Sequence, residues 1–112
     1  MEPRAKVWVE KDGKLVLSDY RVRLLRLIDE TGSLADAAKA MGLSYRRAWG
    51  KVKEIERNLG SKLLESAAGG PGGGGSQLTD DARRLVEQYE QFRGSAERNL
   101  QDDFRRSFAQ KP

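Results

Sequence analysis

Positions 69–75 read GGPGGGG and contain six glycines and one proline. Glycine has no side chain to bury, so a hydrophobic core must come from the segments on either side of this stretch. The segment that follows it is short and carries a single helical pattern, and the apolar face of one helix needs a partner surface. The sequence before and after the glycines must therefore pack together.

Three interpretations of the glycine segment can be weighed. A slack tether would join two self-sufficient domains, and the part after it is too short to be one. A nucleotide-binding phosphate loop ends in Gly-Lys-Ser/Thr, whereas GGGGSQL has no lysine. The third interpretation is the tip of a β-hairpin between KLLE and SQL, whose bare backbone can approach a partner closely. We favour this hairpin tip, or wing.

Composition narrows the possible functions further. The 112 residues include no cysteine and no histidine, which excludes Cys/His zinc sites, thiol nucleophiles and serine–histidine catalysis. No carboxylate pair lies in a plausible pocket pattern, so we predict that the chain is not an enzyme and needs no metal or cofactor. No apolar run approaches the ~20 residues that span a bilayer, and the N-terminus lacks a signal-peptide core. We expect a cytoplasmic protein without membrane contact.

The first half of the chain changes from a strand pattern to helical patterns. Alternating apolar residues on either side of Asp12–Gly13 predict a hairpin with strands near 6–10 and 15–18. A helix is predicted over 19–31, because apolar residues recur on one face and Gly32 follows.

Two more helical patterns follow, separated by a very short turn. A short helix begins after Ser33 and ends at Gly42, and a longer one begins after Ser44 and covers about 45–58. Two helices joined through Gly42-Leu43-Ser44 are typical of a helix-turn-helix, in which the second helix enters the DNA major groove. The order of the elements predicts an α+β, mostly helical, winged helix-turn-helix.

The basic charge of the chain is concentrated on the second helix of this pair. Residues 44–62 contain six Lys or Arg and two Glu, an excess of +4, which equals the net charge of the whole chain. A local basic excess is the electrostatic signature of a phosphate-contacting surface. The helical phase of Tyr45 and Trp49 favours core positions over contacts with DNA bases for both rings. Tyr45 is kept as a DNA-binding candidate because its position at the helix start would leave its hydroxyl near a phosphate. Gly50 lies mid-helix on the polar face, either as a tolerated surface glycine or as a point where the helix seats deeply in a groove.

These patterns give a set of candidate DNA-binding residues in three places. They are the start of the short helix, the recognition helix 44–58, and the wing. The predicted residues are Ser33, Ser44, Tyr45, Arg46, Arg47, Gly50, Lys51, Arg57, Gly72 and Gly73.

The last segment predicts a long helix that begins after Thr79. Leu85, Tyr89, Phe92 and Ala96 are spaced by four, three and four residues, and Leu100, Phe104 and Phe108 continue the stripe by steps of four. Gly94 predicts a bend or a break of the helix between the two parts. Since exposed phenylalanines are a liability on a monomer, the stripe predicts core packing plus a homodimer seam.

Several of these segments together resemble a known family. The segment AAKAMGLSYRRAW, and the glycine-rich wing followed by LT, are similar to the N-terminal winged-helix domain of the molybdate-responsive ModE-type transcription regulators, which are related to LysR-type regulators. The resemblance covers roughly residues 5–93. It implies a homodimeric, sequence-specific DNA-binding protein, with residues 44–47 and Lys51 on the groove-facing part of the recognition helix.

Two departures qualify this resemblance. Members of the family carry C-terminal oxyanion-binding domains, and this sequence ends at Pro112, so we do not expect an effector to bind within it. The wing base carries Ala67 and Ala68 where the family usually has arginine, which predicts weaker or backbone-only wing contacts.

We therefore predict a single domain over 1–112. Its parts are a hairpin (1–18), a three-helix core (19–60), a wing (61–78), and a C-terminal dimerisation helix with its tail (79–112). The predicted function is control of transcription by sequence-specific binding to double-stranded DNA. The alternative hypothesis is a protein-interaction or dimerisation adaptor with little DNA affinity.

Overall fold

The computed structural model of the protein describes residues 1–67 and 75–109. Within these ranges, two short antiparallel hairpins and four helices follow one another. The elements are β1 (Trp8–Lys11), β2 (Lys14–Ser18), α1 (Asp19–Thr31), α2 (Leu34–Ala40), α3 (Tyr45–Leu59), β3 (Leu64–Ala67), β4 (Gly75–Leu78) and α4 (Asp80–Ser107). This is the predicted α+β, mostly helical, winged helix-turn-helix arrangement.

The N-terminal hairpin turns at Asp12 and Gly13, both of which have positive φ, as the Asp-Gly pair predicts. Its register shifts between Val9 and Glu10, where a bulge interrupts the ladder. The strands begin and end within two residues of the predicted bounds, and β2 supplies Val16 and Leu17 to the core.

Serine or threonine caps start the four helices that follow, and Ser18 caps α1 by accepting a hydrogen bond from the Arg21 N–H at 3.2 Å. Ser33 Oγ accepts a hydrogen bond from the Asp36 N–H at 2.9 Å, and Ser44 Oγ accepts one from the Arg47 N–H at 3.1 Å. Thr79 starts α4 in the same way. Because each cap satisfies a donor that the first helical turn leaves unpaired, the helix starts are encoded locally.

The core lies where α1, α2 and α3 meet, and β2, β4 and the first half of α4 close it. Gly42, with φ of 68°, reverses the chain between α2 and α3, and the Leu43 N–H returns to the Ala38 carbonyl at 2.9 Å. The small residues Ala37, Ala38 and Ala48 are fully buried and allow the two helices to approach closely. The largest fully buried side chains are Leu24, Leu25, Ile28, Val52, Ile55, Leu63, Leu78 and Val86.

The two wing strands are held against the helical body. Leu64 pairs with Leu78 and Ala67 with Gly75 in an antiparallel register. The Ser76 N–H donates to the Gly32 carbonyl at 2.9 Å, which attaches β4 to the end of α1. The predicted hairpin strands are thus confirmed, while residues 68–74 lie outside the described residues.

Helix α4 is continuous from Asp80 to Ser107, so the predicted break at Gly94 is wrong. One glycine costs about 1 kcal/mol in a helix interior, and a cooperative helix of 28 residues tolerates that cost. Three ion pairs hold its first half to α1: Arg83 with Asp29, Glu90 with Arg26, and Arg93 with Asp19. Among the described residues, none after Tyr89 is buried, so the second half projects from the body.

None of the helices in residues 1–67 and 75–109 is long and apolar enough to cross a membrane.

Glu56 joins α3 to the start of the wing. Its Oε2 accepts a hydrogen bond from the Leu63 N–H at 2.8 Å, and its Oε1 accepts one from Lys53 Nζ at 3.1 Å. Burial raises the pKa of Glu56, but the hydrogen bonds from Leu63 and Lys53 favour the carboxylate, and the net pKa lies below the ordinary 4.5.

We expect Glu56→Gln to lower the free energy of unfolding near pH 7 by about 1–2 kcal/mol, since the hydrogen bonds lose a charged acceptor. Because the pKa of Glu56 is lower in the folded than in the unfolded state, its carboxylate stabilises the fold at pH values above the unfolded-state pKa. This contribution is lost as the pH falls through the folded-state pKa. The difference between wild type and variant should be full above pH 4.5 and shrink below it. Urea unfolding at pH 7 and pH 3 measures this, with the exposed Glu87→Gln as control. An equal difference at both pH values would contradict the assignment.

Candidate nucleic-acid interface

The outward face of α3 carries the predicted basic residues. Arg46, Arg47 and Arg57 are exposed, and within the described residues none of them has an ion-pair partner. Gly50 is exposed on the same side of the helix. Residues 44–48 form the first turn, which is the part of a recognition helix that reaches base edges.

Both acidic residues of α3 are engaged within the chain. Glu54 forms an ion pair with Arg21 of α1, and Glu56 accepts hydrogen bonds from Lys53 and from the backbone at Leu63. Neither carboxylate therefore opposes the three unpaired arginines. Within the net +4 of residues 44–62, the exposed Arg46, Arg47 and Arg57 have no ion-pair partner among the described residues.

Lys51 lies on the flank of α3 that faces the start of α1. Its ammonium group is 5.2 Å from the centroid of the exposed Tyr20 ring, in a cation–π contact. The lysine remains at the edge of the basic face, beside a phenol that can donate a hydrogen bond. Sequence patterns did not identify Tyr20, because residues 20 and 51 become neighbours only through tertiary packing.

The prediction that Tyr45 and Trp49 are core residues is wrong. Tyr45 is 57% exposed and Trp49 is 48% exposed. The buried residues of α3 are Ala48, Val52 and Ile55, so the buried stripe is narrower than the apolar stripe of the sequence. Tyr45 and Trp49 border that stripe on the side away from Lys51, and their rings are accessible to a partner.

Trp49 forms one wall of a second basic region beside the wing. An open groove of about 410 Å³ is lined by Trp49, Lys53, Glu56, Arg57 and residues 60–62. Lys53 Nζ lies 5.5 Å from the centroid of the Trp49 ring. The groove combines an accessible aromatic ring with cations, and the cations are suited to contact with phosphates. The sequence interpretation missed Lys53, Lys62 and the exposure of Trp49.

The remaining predicted contacts occupy helix starts and the wing. Ser33 and Ser44 are N-caps, so each hydroxyl already accepts one backbone hydrogen bond and can still donate one. Gly72 and Gly73 lie outside the described residues. DNA contacts at all of these positions remain predictions.

A capped, basic and outward-facing second helix, followed by a two-stranded hairpin, defines the winged helix-turn-helix class. The chain belongs to the lysR family of bacterial regulatory helix-turn-helix proteins, whose family model matches residues 20–83. Its members are regulatory proteins, in agreement with the prediction that the chain is not an enzyme.

Individual relatives support the ModE-type resemblance. The chain is 41% identical over 85 residues to the molybdenum transport protein ModE of Azotobacter vinelandii, covering 76% of this chain and 32% of that protein. It is 39% identical over 77 residues to the DNA-binding transcriptional dual regulator ModE of Escherichia coli K12, covering 69% of this chain and 29% of that protein. The chain thus spans about a third of the length of these curated relatives.

Solved structures share the fold. The crystal structure of the CbnR_DBD–DNA complex superposes with a TM-score of 0.60 at 23% sequence identity, covering 84% of this chain and all of that one. At this level of identity the likeness establishes the winged helix-turn-helix fold. The predicted family resemblance and fold class are both confirmed.

Proposed function

We propose that the chain, acting over 1–112 as one domain, binds double-stranded DNA with sequence preference and regulates transcription. The observation that carries the proposal is the set of unpaired arginines on α3, whose two glutamates are both engaged within the chain. Similarity to a DNA-binding transcriptional dual regulator and to a domain crystallised with DNA supports the same function. Such a protein works on the chromosome, so we place it in the bacterial cytoplasm.

The contacts divide into reading and positioning roles. Arg46 and Arg47 lie in the first turn of α3, where long donors can reach base edges in the major groove. Lys51 and Arg57 lie further along α3 and Lys62 lies beyond its end, and we assign all three to phosphates. The Trp49 groove would then receive the backbone on the wing side of the helix. The wing glycines Gly72 and Gly73 are proposed to add backbone contacts.

We also propose that the protein binds as a homodimer through the second half of α4. Phe92 and Phe108 are exposed, and Leu100 and Phe104 lie between them at steps of four residues. The Phe104 and Phe108 rings stack with centroids 4.6 Å apart. Among the described residues, Tyr89 is the last buried one, so the domain itself does not cover the stripe. A second copy of the chain could cover it by pairing the same helix, with no change in the domain.

Selection of bound fragments from a random duplex library tests the proposed function. We expect enrichment of an imperfect two-fold repeat, with half-sites about one DNA turn apart. The logarithm of affinity for a selected duplex should fall linearly with the logarithm of salt concentration, with a slope of about −0.9 per phosphate contacted. Absence of enrichment, or an affinity that does not change with salt, would contradict DNA binding and favour the adaptor hypothesis.

A further inference from the structure

Gly50 is unusual because it weakens the helix in which it lies. Glycine in a helix interior is less stable than alanine, since it loses more backbone freedom on folding. The described glycines with positive φ are Gly13, Gly32, Gly42 and Gly60, all at turns or helix ends. Gly50 has helical geometry that any residue can adopt, so its backbone conformation does not call for glycine.

Packing within the chain does not call for glycine either. A Cβ atom built on Gly50 meets no heavy atom within 4 Å of the described residues. An alanine would fit there without moving a neighbour, and it would strengthen α3. A residue that destabilises its own helix, and that neither packing nor backbone geometry requires, is typical of a functional site.

The position of Gly50 on α3 indicates what approaches it. Arg46 lies one turn earlier on the same face and Arg57 two turns later, and both are exposed without an ion-pair partner among the described residues. A helix with its side chains is about 10–12 Å across, and the major groove is about 12 Å wide and 8.5 Å deep. Because the fit is tight, the missing side chain at Gly50, on the face that carries Arg46 and Arg57, lets the helix axis lie closer to the groove floor.

We propose that Gly50 is the point of closest approach between α3 and a base-pair edge, and that its missing side chain is a specificity determinant. This inference rests on the proposed function. A base edge that packs against the Gly50 backbone sets the depth of α3, and that depth brings Arg46 and Arg47 within reach of neighbouring bases. A methyl group at position 50 would hold the helix away from the floor, while flexible lysines and arginines could still reach the phosphates.

The test compares Gly50→Ala with Gly94→Ala, which replaces the interior glycine of α4. A Cβ at Gly94 meets only the flexible end of Arg98, with Nη1 at 3.4 Å. We expect both variants to melt about 3–6 °C higher than wild type, because both gain helix propensity. Gly50→Ala should bind a duplex selected by the wild type about tenfold more weakly, and bind an unrelated duplex at low salt unchanged. Gly94→Ala should bind both duplexes like wild type.

A second variant, Gly50→Leu, should weaken binding to the selected duplex more than alanine does while circular dichroism stays unchanged. Wild-type affinity for the selected duplex in Gly50→Ala would overturn the inference, as would a lower melting temperature or an equal loss on both duplexes. Failure of the wild type to bind any duplex would instead overturn the proposed function, and it would be visible before any variant is made.

Discussion

Replacing Arg46 and Arg47 together with alanine is expected to weaken binding to a selected duplex by about 100-fold or more. Hydrogen bonds to charged groups contribute about 1.5–3 kcal/mol each, and two such losses correspond to at least a hundredfold change in Kd. Because neither side chain has an ion-pair partner within the described residues, their removal should leave the free energy of unfolding nearly unchanged. Fluorescence anisotropy titrations and urea unfolding measure the two quantities.

A matched control removes two positive charges elsewhere. Arg23 of α1 and Arg98 of α4 are both exposed and lie outside α3. Their double replacement with alanine changes the net charge by the same amount, so it reports the general electrostatic contribution alone. Similar losses in the two double variants would contradict a specific role for Arg46 and Arg47. A double Arg46/Arg47 variant that regulates normally without binding DNA would favour the adaptor hypothesis.

Phe104→Asp should convert the protein to a monomer and lower its affinity for a duplex with two half-sites by about 10²–10⁴-fold. A charge in the middle of the apolar stripe would have to be buried at the proposed seam, and this is costly without a partner charge. Loss of the dimer also removes the effective concentration that links the two half-sites. Phe104 is not among the buried residues of the domain, so the fold itself should be preserved. Sedimentation velocity and titrations with one and two half-sites measure these effects.

The control for this variant is Asn99→Asp, which adds the same charge at an exposed position of the same helix. It should leave both the mass of the particle and its DNA affinity unchanged. Binding of Phe104→Asp to a single half-site should equal that of the wild type. A wild-type protein that sediments as a monomer, or a Phe104→Asp variant that remains a dimer, would place the seam elsewhere or remove it.

Features of this fold that depend on neighbouring residues could be predicted from the sequence. The caps at Ser33, Ser44 and Thr79 act on N–H groups three residues away, and the turn at Asp12–Gly13 depends on backbone preferences alone. Helix starts, the first hairpin and the helix-turn-helix were accordingly predicted within two residues.

Features that depend on distant contacts could not be predicted. A helical wheel gives the direction of Trp49, but the width of the buried stripe depends on how far neighbouring elements cover α3. Arg21 and Glu54 pair across 33 positions, and Lys51 meets Tyr20 across a comparable separation. The engagement of both glutamates, which leaves the arginines unopposed, therefore emerges only in the folded chain.

Asp19, the first residue of α1, connects this helix to the long helix α4. Asp19 accepts hydrogen bonds from Tyr89 at 2.5 Å and from Arg93 at 3.3 Å, so the first residue of α1 is attached to α4. The next two residues, Tyr20 and Arg21, contact Lys51 and Glu54 of α3. A continuous series of contacts thus runs from α4 through the start of α1 to α3. In the proposed symmetric dimer, these contacts would fix the separation and orientation of the two recognition helices. One inserted base pair rotates a half-site by about 34° around the duplex, and a dimer of fixed geometry cannot adjust to that rotation.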